Sequence, residues 1–227
     1  MGVQRKIYGT QVPGILGEFS DDSVKSARAY LCFGKDGPAA PESPNLPGFG
    51  KFFSFGSVTV DASTGATKTV AVQGVAANGV ALGILVNPKE HVIVGFKTGR
   101  TMFQNGVNGT IADRGHIWVF ANAPTTAGGD VFTDVDGNTL VSGATKVEGA
   151  KWLKTSDVSE YADFDADKTY AVGDKVKYND EYYTCNTAIT EAAAWDATKW
   201  TKKTEWLSEI AINTPEIFDA GAGSDEG

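Results

Sequence analysis

Short runs of apolar and β-branched residues, separated at regular intervals by glycine and other turn residues, dominate the chain from Gly50 to Ser159. These runs are SVTVDAS, TKTVAVQGVA, GVALGILV, HVIVGFKTG and GHIWVFANA. Runs of this length and composition predict strands, and their regular spacing favours a β-sandwich or a barrel. No stretch of this region has the apolar spacing of a long amphipathic helix. We therefore predict a mainly β body over 51–159.

The residues before this body are rich in proline. GKDGPAAPESPNLPGFG, from Gly34 to Gly50, predicts an extended arm or a long loop, because proline breaks helices and is excluded from central strands. The preceding DDSVKSARAYLCF has an apolar spacing that fits either a short helix or a strand. We assign 1–50 to an extended N-terminal arm.

Aromatic residues crowd the chain over 160–203, where glycine is rare, and this change in composition predicts a separate compact module. Within it, KVKY alternates lysines with apolar side chains, which predicts a strand with one buried face. The Asn179-Asp180 pair that follows predicts a hairpin turn. EWLSEIAI predicts one more strand within 204–217, and the acidic, small residues of 218–227 predict a disordered tail.

The charge balance narrows the range of partners. The chain carries 20 Lys and Arg against 28 Asp and Glu, a net charge of −8. A chain of this charge is repelled by nucleic acid and by anionic membranes, so we expect neither as a partner. The most apolar stretch, Val80 to Val86, is far too short to span a bilayer. Cys32 and Cys185 do not form a disulfide framework and are predicted to be small buried residues.

Residues that could carry catalysis or bind a metal are few. His91 and His116 each lie inside a predicted strand run, and no Cys/His cluster has the spacing of metal ligands. Asp134, Asp136 and Asn138 have the spacing of a calcium loop, but a threonine stands where the closing acid is needed. Asp136 is followed by glycine, which predicts a hairpin turn instead. We expect no enzymatic activity, no cofactor and no metal.

Several stretches resemble the structural cement proteins of tailed phages, also called capsid decoration proteins. The resemblance rests on an early Pro13-Gly14 followed by a polar arm, a glycine-rich middle, and a block from Arg114 to Gly137. It implies a β-sandwich or β-tulip-like body and a virion protein that binds the major capsid protein lattice and cements the icosahedral shell. Such a protein is made in the host cytoplasm and lies on the outer capsid surface.

An extended arm without a core of its own gains stability by lying on another surface. We therefore expect the arm, over 12–19 and 38–49, to contact the capsid. The candidate residues are Val12, Pro13, Gly14, Phe19, Pro47 and Phe49. The symmetry of a shell favours self-association as a homotrimer at three-fold positions, with a dimer as the second choice.

The module is similar to the small chitin-binding modules attached to bacterial chitinases. The pattern comprises Tyr170, Gly173-Asp174, Val176, Tyr178, Tyr182 or Tyr183, and Trp200. The resemblance implies a three-stranded β fold and exposed aromatic rings that stack on sugars. Two interpretations of the same aromatic side chains remain open: they form either the core of a tiny domain or a site that binds glycan. These side chains are Tyr178, Tyr182, Tyr183, Trp195 and Trp200. The adjacent tryptophans frequent in that family are replaced here by Cys185-Asn186-Thr187.

The module interrupts the end of the body. KVEGAKWLKTSDV and EWLSEIAIN resemble the two halves of the closing segment of cement proteins, so we expect the module to be inserted in a surface loop and to project outward from the shell. An alternative function follows from this position, namely host attachment through a cell-surface glycan. A secreted carbohydrate-active enzyme is a further alternative, for which the sequence offers no catalytic domain.

Overall fold

The computed structural model describes residues 16–20, 25–61, 63–87 and 104–214. These residues form thirteen strands and one turn of 3₁₀ helix, Ala197–Lys199. The strands are β1 Ser26–Phe33, β2 Phe52–Asp61, β3 Ala66–Gln73, β4 Gly83–Leu85, β5 Val107–Ala121, β6 Asp130–Thr133, β7 Thr139–Leu140, β8 Thr145–Trp152, β9 Ala162–Asp163, β10 Lys175–Tyr178, β11 Glu181–Cys185, β12 Trp200–Lys202 and β13 Trp206–Asn213. The prediction of a mainly β body with a separate small module is confirmed.

The body is a nine-stranded sheet in the order β1-β3-β2-β4-β5-β13-β8-β6-β7. Two additional pairings, β1 with β5 and β5 with β7, close this sheet into two rings of five strands that share β5. β5 can serve both rings because it is 15 residues long. The shared strand makes the two halves of the body one continuous unit.

The core follows from the alternation of side chains along β5. Ile117, Val119 and Ala121 are fully buried at every second position and pack with Trp152 and Ile210 in one apolar cluster. A second cluster fills the other ring and includes Cys32, Phe53 and Leu85 among its members. Burying each large apolar side chain contributes roughly 1.5–3 kcal/mol, so these clusters supply the main stabilising free energy of the body.

The region assigned to an arm contributes to the body in three places. The stretch whose apolar spacing fits either a helix or a strand forms β1. It is a strand because Ala27 to Cys32 pair with β5 along their whole length. Residues 16–20 lie beside β5, and residues 34–50 form a loop of successive turns that ends at the body. Val12, Pro13 and Gly14 lie outside the described residues.

The module is inserted between two neighbouring strands of the body. β8 precedes the module and β13 follows it, yet the two pair with each other, with Ile210 opposite Trp152. β13 also pairs with β5 from Trp206 to Asn213, so the predicted strand EWLSEIAI is confirmed and lies at the centre of the sheet. The predicted strand HVIVGFKTG and the acidic residues 218–227 lie outside the described part of the chain.

One turn differs from its prediction. Asp136-Gly137 predicts a two-residue hairpin, but β6 and β7 are joined by five residues, 134–138. The Asp134 carboxylate accepts hydrogen bonds from the backbone N–H groups of Asp136 and Asn138, which stabilises this longer loop. Both cysteines are free and buried, as predicted, and burial raises the pKa of the Cys32 thiol to about 12.

Candidate binding surfaces

The module is a four-stranded sheet in the order β12-β11-β10-β9. The predicted three-stranded sheet is therefore corrected by one strand: β9 is two residues long and pairs in parallel with β10, and its length explains why no sequence pattern marks it. Asn179 and Asp180 both have positive φ, 50° and 61°, and connect Tyr178 to its partner Glu181. This geometry confirms the predicted hairpin turn.

Three aromatic rings of the module form a continuous stack. Trp195 lies between Tyr178, whose ring centroid is 4.1 Å away at an interplanar angle of 11°, and Trp200, at 5.1 Å and 9°. Phe164 meets all three rings edge to face. Both faces of Trp195 are therefore covered by the protein itself, and the stack forms the module core together with the buried side chains of Val176 and Cys185.

The two adjacent tyrosines of β11 point in opposite directions. Tyr183 lies against Trp195, with ring centroids 4.8 Å apart, and its hydroxyl donates to the Glu181 carboxylate at 2.6 Å. Tyr182 points toward the body and contacts Tyr161 and Trp206, with ring centroids 5.0 and 5.2 Å away. Because side chains alternate along a strand, the module uses one tyrosine for its core and the other for its attachment.

The contact between module and body is a compact aromatic cluster, which we call the clamp: Tyr161, Tyr182 and Trp206. Tyr161 and Trp206 are buried, and the Nζ of Lys203 lies 3.9 Å above the Trp206 ring, a favourable cation–π distance. Lys175 of β10 pairs with Glu160 at 2.6 Å and so holds the first residue of the module beside β10. The module is thus packed against the body along its base rather than joined only by its two linkers.

The five glycan candidates therefore separate into two groups. Tyr183, Trp195 and Trp200 lie in the module cluster, and Tyr178 stacks on Trp195 beside them. Tyr182 instead belongs to the clamp. Trp200 is 5% exposed and the other four are half-buried. Stacking on a sugar requires an accessible ring face, so among the module cluster Trp195 and Trp200 are the least suited to this role.

The Tyr183–Glu181 hydrogen bond predicts how the stability of the module depends on pH. It raises the pKa of Tyr183 from 10.0 to about 12, while Lys202 and Tyr183 together lower the pKa of Glu181. The neutral phenol is thus favoured in the folded state, so its contribution to stability is complete below pH 10 and is lost as the pH rises toward 12.

In a titration followed by phenolate absorbance, Glu181→Gln is expected to lower the Tyr183 pKa. Tyr183→Phe is expected to remove the titration step near pH 12, and an unchanged titration in both variants would contradict the assignment.

The predicted arm residues that the structure describes are packed on the body. Phe19 forms a β-bridge with Ile117, and the Nζ of Lys25 lies 5.0 Å from the centroid of its ring. Pro47 is buried, and Phe49 is 4% exposed within the second core cluster. These three side chains hold the root of the arm and the loop 34–50 in place.

A buried carboxylate, not anticipated from the sequence, fixes the segment 16–20. Glu209 of β13 is 8% exposed and accepts a hydrogen bond from the Ser20 hydroxyl. It also pairs with the Nζ of Lys154 at 3.0 Å, and this ammonium lies 4.1 Å from the centroid of the Trp118 ring. The partners are far apart in sequence, so no local pattern could have revealed this network.

A surface cleft of about 520 Å³ lies beside the root of the arm. Leu16, Leu46, Phe120 and Leu140 are among its apolar lining, and Phe120 is 38% exposed. On its rim Lys35 pairs with Asp136 at 2.8 Å, which raises the pKa of Lys35. The cleft joins the loop 34–50, the β6–β7 loop and the linker between module and β13, and it had no signature in the sequence.

The described residues include no group of three or more His, Cys, Asp or Glu side chains placed to hold a metal ion. The three residues with calcium-loop spacing are engaged by protein donors. The amide of Asn138 donates to Asp134 at 2.8 Å and its oxygen accepts from Lys51, while Asp136 pairs with Lys35. Within the described ranges, no helix has the length and apolar character needed to cross a membrane.

Two families match the sequence in complementary regions. The family described as structural cement protein (E217 gp24/Pam3 gp6) matches residues 3–167, well over half of the chain. Carbohydrate-binding module family 5/12 matches residues 163–206, which include β10, β11 and β12 and the second residue of β9. No curated protein matches the chain at a significant level. β13, although central to the body sheet, lies almost entirely beyond both matches, as expected if the module interrupts the body near its end.

Proposed function

The chain belongs to the structural cement protein family, and we propose that it decorates the outside of a phage capsid and stabilises the shell by binding the lattice of the major capsid protein. The observation that carries this proposal is the family match over the arm and nearly all of the body. The family name implies a structural, capsid-stabilising role in the virion.

The architecture of the body supports a bracing role. Two rings of strands that share β5 place the hydrogen-bonding edges of most strands inside the sheet, so the body resists deformation and offers few free edges for unspecific association. A net charge of −8 disfavours competition with the shell for packaged nucleic acid. Both features suit a protein that must remain attached to a shell containing DNA.

We assign contact with the capsid to Val12, Pro13 and Gly14, and give Phe19, Pro47 and Phe49 a positioning role. The segment 16–20 is anchored to β5 by three backbone hydrogen bonds that involve His116 and Trp118. This anchor and the Ser20–Glu209 contact fix where the arm leaves the body. A fixed root reduces the conformational entropy lost when the arm docks.

The first test is the copy number of this protein in purified virions, measured by quantitative mass spectrometry against the major capsid protein. Decoration of the lattice predicts a ratio near one to one or a simple fraction of it, and a homotrimer at three-fold positions predicts one copy per capsid subunit around each such axis. A handful of copies per virion, or none, would contradict the cement function and favour a tail or non-virion protein.

A second function, weak glycan binding by the outward-facing module, is favoured by the match to carbohydrate-binding module family 5/12. We propose Tyr178 and Tyr183 as the contacts, since both are half-buried and neither is enclosed like the other candidates. Trp200 is buried, Trp195 is stacked between two rings, and Tyr182 belongs to the clamp. Virions that carry a deletion of 160–203 are expected to keep the protein on the head and to adsorb less well to host cells. Normal adsorption would remove the glycan function. Loss of the protein from the head would show instead that the module contributes to capsid attachment, and Trp200→Ala, which disrupts the module core alone, serves as the matched comparison.

A further inference from the structure

Two parallel strands of the body leave their facing edges without a strand partner among the described residues. β1 and β3 pair only at Cys32 with Ala71 and at Phe33 with Val72. Before these pairs, the edge of β1 opposite β5 and the edge of β3 opposite β2 have no further strand pairing in the described ranges. Residues 27–29 and 66–69 are exposed. Unpaired edges of this kind bind extended segments by strand addition.

The rim of this gap carries positive charge. β1 contains Arg28 and β3 contains Lys68, and neither strand contains an acid. The Arg28 side chain is 50% exposed, with its Nε 3.7 Å from the carboxylate of Asp113. The exposed cationic side chains of Arg28 and Lys68 favour an acidic occupant over a basic one.

The described chain ends beside this gap. The N–H of Thr214 donates to the Asp113 carbonyl at 2.9 Å, and the same aspartate contacts Arg28 of β1. β13 and β1 both run antiparallel to β5 and meet at Arg114, which is the partner of Asn213 and of Ser26. β4 pairs with β5 on the edge opposite β1, and the segment 16–20 extends that edge, because the Gly17 carbonyl accepts from Asn87, just after β4. β13 and β1 therefore lie one after the other along the same edge of β5 and run in the same direction. The chain that leaves β13 thus points toward the start of β1.

The composition of residues 215–227 matches this gap. These 13 residues, PEIFDAGAGSDEG, contain four acids and no base. Extended, they would span up to roughly 45 Å, more than the roughly 27 Å of an eight-residue strand such as β1. Ile217 and Phe218 supply apolar side chains early in the segment, close in sequence to its exit point. On its own such a segment is typical of a disordered tail, and an unpaired edge offers it hydrogen-bonding partners.

We propose that the gap between β1 and β3 binds the chain's own C-terminal residues 215–227. The four features that support this assignment are the unpaired parallel edges, the cationic rim, the exit of the chain at Asp113 in the direction of β1, and the acidic composition of the segment. The inference concerns the isolated protein and does not depend on capsid binding.

The test places a photo-crosslinking amino acid at Thr69 in the full chain, with Thr67 as a second position if the first variant is unstable. Thr69 is exposed on β3 at the gap, and Thr201, exposed on the edge strand β12 of the module, is the matched control position. We expect irradiation at position 69 to join this residue to a peptide within 215–227, identified by mass spectrometry, and irradiation at position 201 not to do so. Neutralising all four acids of the segment is expected to lower the yield at position 69 several-fold.

A mixture of isotopically light and heavy protein identifies the occupant. Crosslinks within molecules of one isotope label support the proposal, whereas mixed-label crosslinks would assign the gap to a second copy and overturn it. Crosslinks to any other segment, or no crosslink at either Thr69 or Thr67, would also overturn it. Binding of this protein to virions is scored separately, so failure of this inference leaves the cement function untouched, and the reverse also holds.

Discussion

Trp206→Ala is expected to lower the free energy of unfolding by about 3–5 kcal/mol, the usual cost of removing a large buried aromatic side chain. Trp206 is 4% exposed and belongs to the main core cluster. Its ring also contacts Tyr161 and Tyr182 of the module. The substitution leaves a cavity in the body and removes the central ring of the clamp. The same change should therefore allow the module to move independently of the body.

Urea unfolding followed by circular dichroism measures the first effect, and limited proteolysis of the segments that flank the module measures the second. Trp118→Ala is the matched control, because Trp118 lies on the neighbouring strand β5 but is only half-buried and contacts Lys154 through a cation–π pair. We expect it to cost less than half as much and to leave the module protected. Equal losses for the two variants, or a module that stays protected in Trp206→Ala, would contradict the clamp.

The local features of this fold could be predicted from the sequence because they depend on neighbouring residues. The alternation in KVKY and the Asn179-Asp180 pair specify a strand and a tight turn within six residues, and both are present. The runs that became β3 and β5 have enough β-branched and apolar residues to identify strands without further context. Composition alone also separated the aromatic module from the glycine-rich body.

The features that depend on distant residues could not be predicted. Local spacing left SARAYLCF undecided, and it is a strand because β5, about 80 residues later, provides its partner. Likewise, nothing in the sequence distinguishes the roles of Tyr182 and Tyr183. The direction in which each side chain points depends on how the module is packed against Trp206. The closure of the body into two rings rests on pairings at the ends of strands, which carry no local signal.

The placement of β13 explains how one chain combines a closed body with an inserted module. β8 and β13 are hydrogen-bonded neighbours, so the two ends of the module meet at adjacent positions of one sheet. An insertion between such strands leaves the sheet intact only if the strand after the insertion returns to its place. The contacts that hold β13 in this place are Trp206 in the core and Glu209 with Lys154 and Ser20.

Gly149→Ala is expected to destabilise the protein by about 3 kcal/mol or more by disturbing the pairing of β8 with β13. Gly149 has φ of +77°, a conformation that costs roughly 1–2 kcal/mol for a residue with a Cβ. A Cβ at this position would lie 2.0 Å from the carbonyl oxygen of Asn213, so the backbone of β13 must shift, and such overpacking adds about 1–3 kcal/mol. The shift occurs where β13 ends, beside the proposed exit of the C-terminal segment.

Gly128→Ala separates the two contributions. Gly128 has a similar φ of +80°, but a Cβ there would meet no atom within 4 Å. It should therefore show the conformational cost alone, roughly 1–2 kcal/mol in urea unfolding. Hydrogen exchange of the amides of β13 should increase in Gly149→Ala and remain unchanged in Gly128→Ala, because only the first substitution pushes on that strand. Equal destabilisation by the two substitutions would mean that β13 yields to the added methyl group without cost, and that the return of this strand after the module is less tightly specified than the register of β8 and β13 implies.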